Sequence, residues 1–574
     1  MKNVFLVILA FATTIAYGQY STGGTGIALN FADLTEATDQ VQVVNGNYQL
    51  NGEITVSAND TLQVETNDTV FFATDGLLRI EGVMLANPAE YAVFTAVDTL
   101  LGYEGITFDE SNGSSIENIH FMHSGGLKLL YSDATIKKCT FYKATAANGS
   151  GAINMLQSSP VIDSCDFILN ARSGVASSAT ALSSPTITNS YFYRNNTENG
   201  NRPQINLGTS DGVKDIIIQR NTIDGFYNNT GGISLATLAG GSVSAVVEHN
   251  LITNNRYGMN IQGNVNSTIT HNRIIDNNLE ENPMNGGSGI SFYSGAEAIV
   301  AHNTITGNLW GISIPTSASP NLGQLGADTV NIGHNYIYDN GNGGTVYNLY
   351  NNTAGEIYAQ NNYWGTTSTE EAAEGIVDVA DNASLGEVFY EPIYVLSNEN
   401  QLVSFSIIMD ESSYTAEIDH EAGEVQLELP EGTDLSALTP HFEASLYAHV
   451  YVNEQIQESG ITMHDFTESV LYTVIAEDST ATEYSVNITT EVGLEAFNAT
   501  QRSVYPNPTS GMLKIDGELP ESIVVLDMAG RIILSQTLNN EGTIDVSALK
   551  SGVYFLQMQF DNTTIHVERF IKTE

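Results

Sequence analysis

Ile218-Gln-Arg-Asn221-Thr-Ile223, Val247-Glu-His-Asn250-Leu-Ile252, Ile269-Thr-His-Asn272-Arg-Ile274, Val300-Ala-His-Asn303-Thr-Ile305 and Ile332-Gly-His-Asn335-Tyr-Ile337 are five copies of one phrase. In each, an apolar residue is followed three positions on by Asn, then two further on by another apolar residue. Looser copies start at Ile116, Ile136, Ile162, Ile187 and Tyr358, making ten in all, with starts 20 to 32 residues apart. A repeat of this length, rich in β-branched residues and in Gly and Asn turns, predicts a parallel β-solenoid. Each repeat then adds one rung, about 4.8 Å above the last.

Working inward from the phrase, its apolar positions should face the core. Its Asn should sit at a bend, in the left-handed conformation that Asn tolerates. Stacked amides can bond along the axis. The expected ladder is Asn221, Asn250, Asn272, Asn303, Asn335 and Asn361, and earlier rungs place Ile119, Cys139, Cys165 and Ser190 in the same column. Parallel, in-register side chains rarely reach a disulfide dihedral, so Cys139 and Cys165 are expected as two stacked thiols. Gly with an apolar residue opens the next strand at Gly174-Val175, Gly232-Ile233, Gly258-Met259, Gly289-Ile290 and Gly311-Ile312. The distance from Asn272 to Gly289 is 17 residues against 8 in two other rungs, so Asn277 to Ser288 should bulge as a loop.

Working outward, Ile54, Val56, Leu62, Val64, Val70, Phe72, Leu78 and Ile80 alternate with polar residues and read as earlier rungs. Exposed end rungs would pair with other chains. Residues 20–44 are therefore expected to cap one end and Asn382 to Val395 the other. The segment from 45 to 395 resembles the right-handed parallel β-helix proteins of the pectate-lyase-like superfamily. Its closing run Asn361-Asn-Tyr-Trp-Gly365 is similar to the end of many secreted bacterial β-helix proteins.

The chain has 574 residues and a net charge of −47, with no Lys or Arg between Arg273 and Arg502. That distribution excludes nucleic acid as a partner, because phosphate neutralisation needs clustered cations. Two Cys make no disulfide framework. Lys2, the apolar run Val4 to Ala12 and the small-x-small site Ala16-Tyr17-Gly18 read as a signal peptide over residues 1–18. No segment approaches a transmembrane length. The mature chain is expected to be exported and soluble.

After Leu396 the texture changes: residues 398–491 hold nineteen Asp and Glu and no Lys or Arg. Short alternating strands such as Glu424-Val-Gln-Leu-Glu-Leu429 and Leu471-Tyr-Thr-Val-Ile475 suggest a sandwich, similar to the Ig-like modules of bacterial surface proteins. The last segment carries Val504-Tyr-Pro-Asn-Pro-Thr-Ser-Gly511, Ile523-Val-Val-Leu-Asp-Met-Ala-Gly-Arg531, Gly552-Val-Tyr-Phe555 and Phe570-Ile-Lys572. It resembles the type A C-terminal sorting domain of the type IX secretion system. The resemblance implies that secretion machinery as a partner, and secretion or surface display by a Gram-negative bacterium. The expected organisation is a signal peptide (1–18), a capped right-handed parallel β-helix (19–396), an acidic Ig-like sandwich (397–491), a linker (492–503) and a sorting domain (504–574). The fold class is all-β: a solenoid followed by two small β-sandwich domains.

Candidate chemistry is sparse. The position before the ladder holds Arg220, His249, His271, His302, His334 and Gln360. Such a column could take a divalent metal or, at low pH, an acidic glycan. A solvated corner is the plainer reading, since metal sites need converging ligands and a ladder keeps them parallel. Asp224, Glu248, Asp276, Glu280, Glu281, Asp339 and Glu356 could supply a hydrolase pair or, with Ca²⁺ and a cation, a lyase site. The cation would come from Lys137, Lys138, Lys143, Arg172, Arg194, Arg202, Arg220 or Arg256. The polygalacturonase-like motifs are broken at Asn221-Thr-Ile223 and Gly333-His334-Asn335, and both the Asp pair and Arg-x-Lys are absent. Asp339-Asn-Gly-Asn-Gly343 lacks the bidentate Glu that closes a Ca²⁺ loop and reads as a turn. No catalytic residue, metal ligand or cofactor is therefore assigned, although Ca²⁺ remains compatible. The preferred reading is a non-catalytic exported protein that binds polysaccharide or another extracellular polymer. The alternative is a polysaccharide lyase or glycoside hydrolase acting in the solenoid groove.

Overall fold

A computed structural model describes residues 18–145, 149–326, 329–491, 503–517, 519–538, 542–560 and 565–574. Residues 1–17 of the expected signal peptide and 492–502 of the expected linker lie outside the described residues. The chain divides into two compact units at Leu396/Ser397.

The first unit is a right-handed parallel β-helix with three long sheets of 14, 12 and 13 strands among the described residues. The chain visits the first, second and third sheets in turn, then climbs one rung. Register keeps like above like. Ile187, Ile218, Val247, Ile269 and Val300 stack in the second sheet, and Ile223, Ile252, Ile274, Ile305 and Ile337 in the third. All are fully buried. Each contributes roughly 2 kcal/mol by leaving water. Toward the N-terminus the third-sheet column becomes a file of rings, Phe94, Phe121, Phe141, Phe167 and Phe192, with successive centroids 5.7, 5.1, 4.9 and 4.5 Å apart. The alternating residues from Ile54 to Ile80 are buried as expected.

Each corner carries a polar ladder. Between the second and third sheets, the Nδ2 of Asn221, Asn250, Asn272, Asn303 and Asn335 donates to the next Oδ1 at 2.9–3.0 Å. The last acceptor is Asn362, not the expected Asn361. The final copy starts at Ala359, which is buried with Asn362 and Trp364, whereas Asn361 points out. Both registers fit the phrase, and burial of Trp364 selects one. The left-handed residue is also one place earlier than expected: His249, His271, His302, His334 and Asn361 have φ between 56° and 62°. The bend falls there because the following amide must point inward to bridge rungs. Ile332 is exposed, and Leu322 takes its core place, with an insertion between Leu322 and Gly333 before the ladder. Cys139 and Cys165 are free buried thiols that donate to carbonyls of the rung below, as the amides do.

A second ladder, not foreseen, runs through Asn255, Asn277, Asn308, Asn340 and Asn348 at the corner between the third and first sheets. Asn277 is thus a core residue, and the bulge begins at Asn278. Here the strand-opening glycines find their reason. A Cβ on Gly289 would lie 3.0 Å from the Asn308 amide and 2.7 Å from the Gly311 carbonyl. Ser111, Ser132, Ser158 and Ser183 form a shorter ladder at the remaining corner.

Helix Phe31–Ala37, started by an Asn30/Asp33 capping box, buries Phe31 and Leu34 at the N-terminal end. Helix Thr369–Ala373 and strands Ile376–Val377 and Val388–Phe389 lie on the last rungs.

The second unit holds two β domains. In one, a sheet centred on Leu402–Met409 and a six-stranded sheet share a core that includes Phe405, Phe466, Tyr472 and Tyr484. In the other, three- and four-stranded sheets enclose Leu513, Val525, Ile544, Leu556 and Phe570. Its sequence motifs have structural work: Asn507 bonds Arg569 and Ile571 of the last strand, and Asp527 and Arg531 clamp a tight turn at 2.8–2.9 Å.

Candidate functional site

Four neighbouring strands of the first sheet, Met259–Gln262, Ser288–Tyr293, Trp310–Ile314 and Leu349–Asn351, build a cleft. Inward residues alternate with outward ones. Register therefore stacks Asn260, Ser291, Ser313 and Tyr350 in one outward column, sets Gln262 beside Tyr293, and pairs Trp310 with Ser288. Ser288 and Ser291 both bond Ser313, at 2.8 and 3.2 Å, giving a floor of hydroxyls.

The loop at 278–287 makes one wall. Trp310 Nε1 donates to the Pro283 carbonyl at 2.9 Å. The Trp310 ring packs on Tyr347 and Tyr350, with centroids 4.5 and 5.0 Å away. Beneath the loop, Arg256 Nε lies 3.4 Å from Glu280, an ion pair without hydrogen-bond alignment, with side chains only 14% and 12% exposed. Its guanidinium also donates to Asn201 Oδ1 at 2.8 Å and to the Asn285 carbonyl. Tyr257 closes the base. Its ring lies over Gly231, where a Cβ would meet it at 2.1 Å, and burial pushes its phenol up to about 12. The space enclosed is about 450 Å³. Ring faces, amides and hydroxyls around a cleft of this size suit a polyhydroxylated ligand.

The expected carboxylates do not meet there. Asp224 accepts from Asn254, and Glu248 from Gln219, on outer faces of the third and second sheets. Asp276 and Asp339 occupy left-handed corner positions. Glu281 and Glu356 are exposed. Glu280 lies beneath the loop wall, paired with Arg256, and does not line the cleft. Of the candidate cations, Arg256 lines the cleft, Arg172 and Arg202 pair with Glu198, Lys138 pairs with Glu117, and Lys143 and Arg194 sit over aromatic rings. Trp310, Tyr293 and Tyr350 were not singled out by sequence. One signal was available: Trp310 directly precedes Gly311-Ile312 and so opens a first-sheet strand.

The histidines stack as the repeat requires. Centroids of His249, His271, His302 and His334 are 4.8, 4.7 and 5.4 Å apart, with the first two pairs near parallel. Asn361, rather than Gln360, continues the column. Burial and neighbouring imidazoles hold His271 and His302 below the usual histidine range. Among the described residues, no group of three or more His, Cys, Asp or Glu converges as a metal site.

Solenoid, acidic sandwich and sorting motifs together define an exported, modular β-helix protein. Residues 204–373 match the family described as a right handed beta helix region, and residues 503–573 match the secretion system C-terminal sorting domain. Residues 402–488 match the family described as SGBP, N-terminal. The sorting domain marks the chain for the cell surface or the medium, and no described helix is long and apolar enough to cross a membrane. No curated protein matches the chain. Among solved structures, it is similar to the receptor-binding protein of bacteriophage Det7, at 10% identity over 97% of this chain and 98% of that one, with TM-score 0.34. It is also similar to the Dettilon tailspike protein, at 12% identity over 91% and 82%, with TM-score 0.26. Scores this low bear on neither ligand nor activity.

Proposed function

We propose that the protein is an exported glycan-binding protein that holds a polysaccharide in the first-sheet cleft without cleaving it. In this reading the leader at residues 1–18 starts export, the β-helix over 19–396 carries the ligand, and the 397–491 sandwich lies between it and the sorting domain along the chain. The observation that carries the reading is the cleft's composition. Trp310, Tyr293 and Tyr350 offer ring faces, Asn260, Gln262 and Asn352 offer amides, and none of the described lining residues is a carboxylate. Most glycoside hydrolases use two carboxylates flanking the scissile bond. The match of residues 402–488 to a domain of glycan-binding type points the same way.

The test is a polysaccharide panel applied to the mature protein, read both by retention and by chain length of the polymer. Retention with unchanged chain length is expected. Steady release of short oligosaccharides would move the protein to the lyase or hydrolase class.

A further inference from the structure

We infer that the cleft takes an uncharged pyranose polymer and rejects uronate and sulfated polymers. This deepens the glycan-binding reading and rests on it.

The argument turns on where cationic charge is available. Arg256 is the cleft's one basic side chain among the described lining residues. It is already engaged on three sides, by Glu280 at 3.4 Å, Asn201 at 2.8 Å and the Asn285 carbonyl. Its role is to hold the loop wall, not to offer charge to a ligand. No replacement can come from the rest of the wall, since the chain has no Lys or Arg between Arg273 and Arg502. That stretch includes the loop, Trp310 and Tyr350. A bound carboxylate or sulfate would shed water in the cleft and gain no counter-charge. It would also approach a chain of net charge −47.

Everything left in the cleft is matched to neutral hydroxyls. Asn260 is bonded to Ser234 through Nδ2 at 3.1 Å and lines the cleft. Gln262 and Asn352 add further amides. Trp310 and Tyr350 provide the apolar surfaces on which the C–H face of a pyranose rests.

The experiment is calorimetric titration of the mature protein with two groups of polymers. The neutral group is β-glucan, xylan, mannan and starch. The acidic group is polygalacturonate, alginate and a sulfated galactan, each with and without Ca²⁺. Every titration is run at low and at physiological salt. We expect at least one neutral polymer to bind, with affinity insensitive to salt, and Trp310→Ala and Tyr350→Ala each to weaken it about tenfold. Matching thermal melts of the variants establish that the losses are local. Binding confined to acidic polymers, with or without Ca²⁺, overturns this inference and leaves the glycan reading standing. So does a neutral polymer whose binding both folded variants retain in full, because the ligand then sits elsewhere. Failure of every polymer to bind overturns both.

Discussion

Trp310 and Pro283 are joined by one hydrogen bond, indole Nε1 to carbonyl oxygen at 2.9 Å, and that bond ties a first-sheet strand to the loop inserted one rung earlier. It helps hold the loop as one wall of the cleft. The strand alone is a flat polar face, and the loop alone has no wall to meet. The loop is also anchored from below by the Arg256–Glu280 pair, and Glu280, which does not line the cleft, lets that anchor be tested with every ring of the cleft in place.

Glu280→Ala should loosen the loop and leave the solenoid intact. It strands a mostly buried guanidinium, a loss of up to about 3 kcal/mol. The rungs do not depend on the loop, so the effect should stay local. Hydrogen exchange should quicken at the amides of Asn285 and Gly287, which now donate to Asn282 and Arg256. Unchanged exchange there would show that the pair does not hold the loop.

Asn272→Leu should lower the melting temperature without altering glycan binding. The Asn272 amide donates to Val247, Thr270 and Asn303, and its oxygen accepts from Asn250. Leu leaves these partners unsatisfied in the core, at roughly 1–3 kcal/mol. A melting temperature equal to wild type would contradict a structural role for the ladder.

Stability should fall as the medium is acidified through the histidine range. His271 and His302 titrate lower in the folded chain than ordinary histidines, because of burial and stacked imidazoles. The unfolded chain therefore binds more protons. Full stability is present above about pH 6.5 and declines from there down to the lower folded values. His302→Asn keeps a residue that tolerates φ of 56° and removes one titrating group. Melting curves against pH should show a shallower acid decline for the variant, and an identical slope would refute the coupling.

Removing Tyr505 to Glu574 should block display while leaving the β-helix folded. Solenoid contacts run between neighbouring rungs and need no distant module. The truncated chain should accumulate in the periplasm. Its efficient appearance in the medium or at the surface, by cell fractionation, would contradict the sorting role of this domain.

The sequence by itself determined the rungs. A core column repeats because each rung lies directly on the last, so Ile218, Val247 and Ile269 had to recur at fixed offsets from Asn221, Asn250 and Asn272. The same logic made the histidine stack legible, and the motifs at Val504 to Gly511 and Phe570 to Lys572 identified the sorting domain. It did not settle choices that depend on what is buried. Asn361 and Asn362 satisfy the phrase equally, and only the packing of Trp364 separates them. Ile332 looked like a core residue until Leu322 was found in its place. The second ladder was written as an Asn five residues after the first, at Asn250 and Asn255 or Asn272 and Asn277, and is plain once the glycines beside it are seen to lack room for a Cβ. The cleft was decided by tertiary structure alone. Asn260, Tyr293, Trp310 and Tyr350 are spread over 91 residues of chain. They meet because parallel rungs set them side by side, and because the loop, whose presence the broken spacing announced but whose path no period fixes, folds back to close the wall.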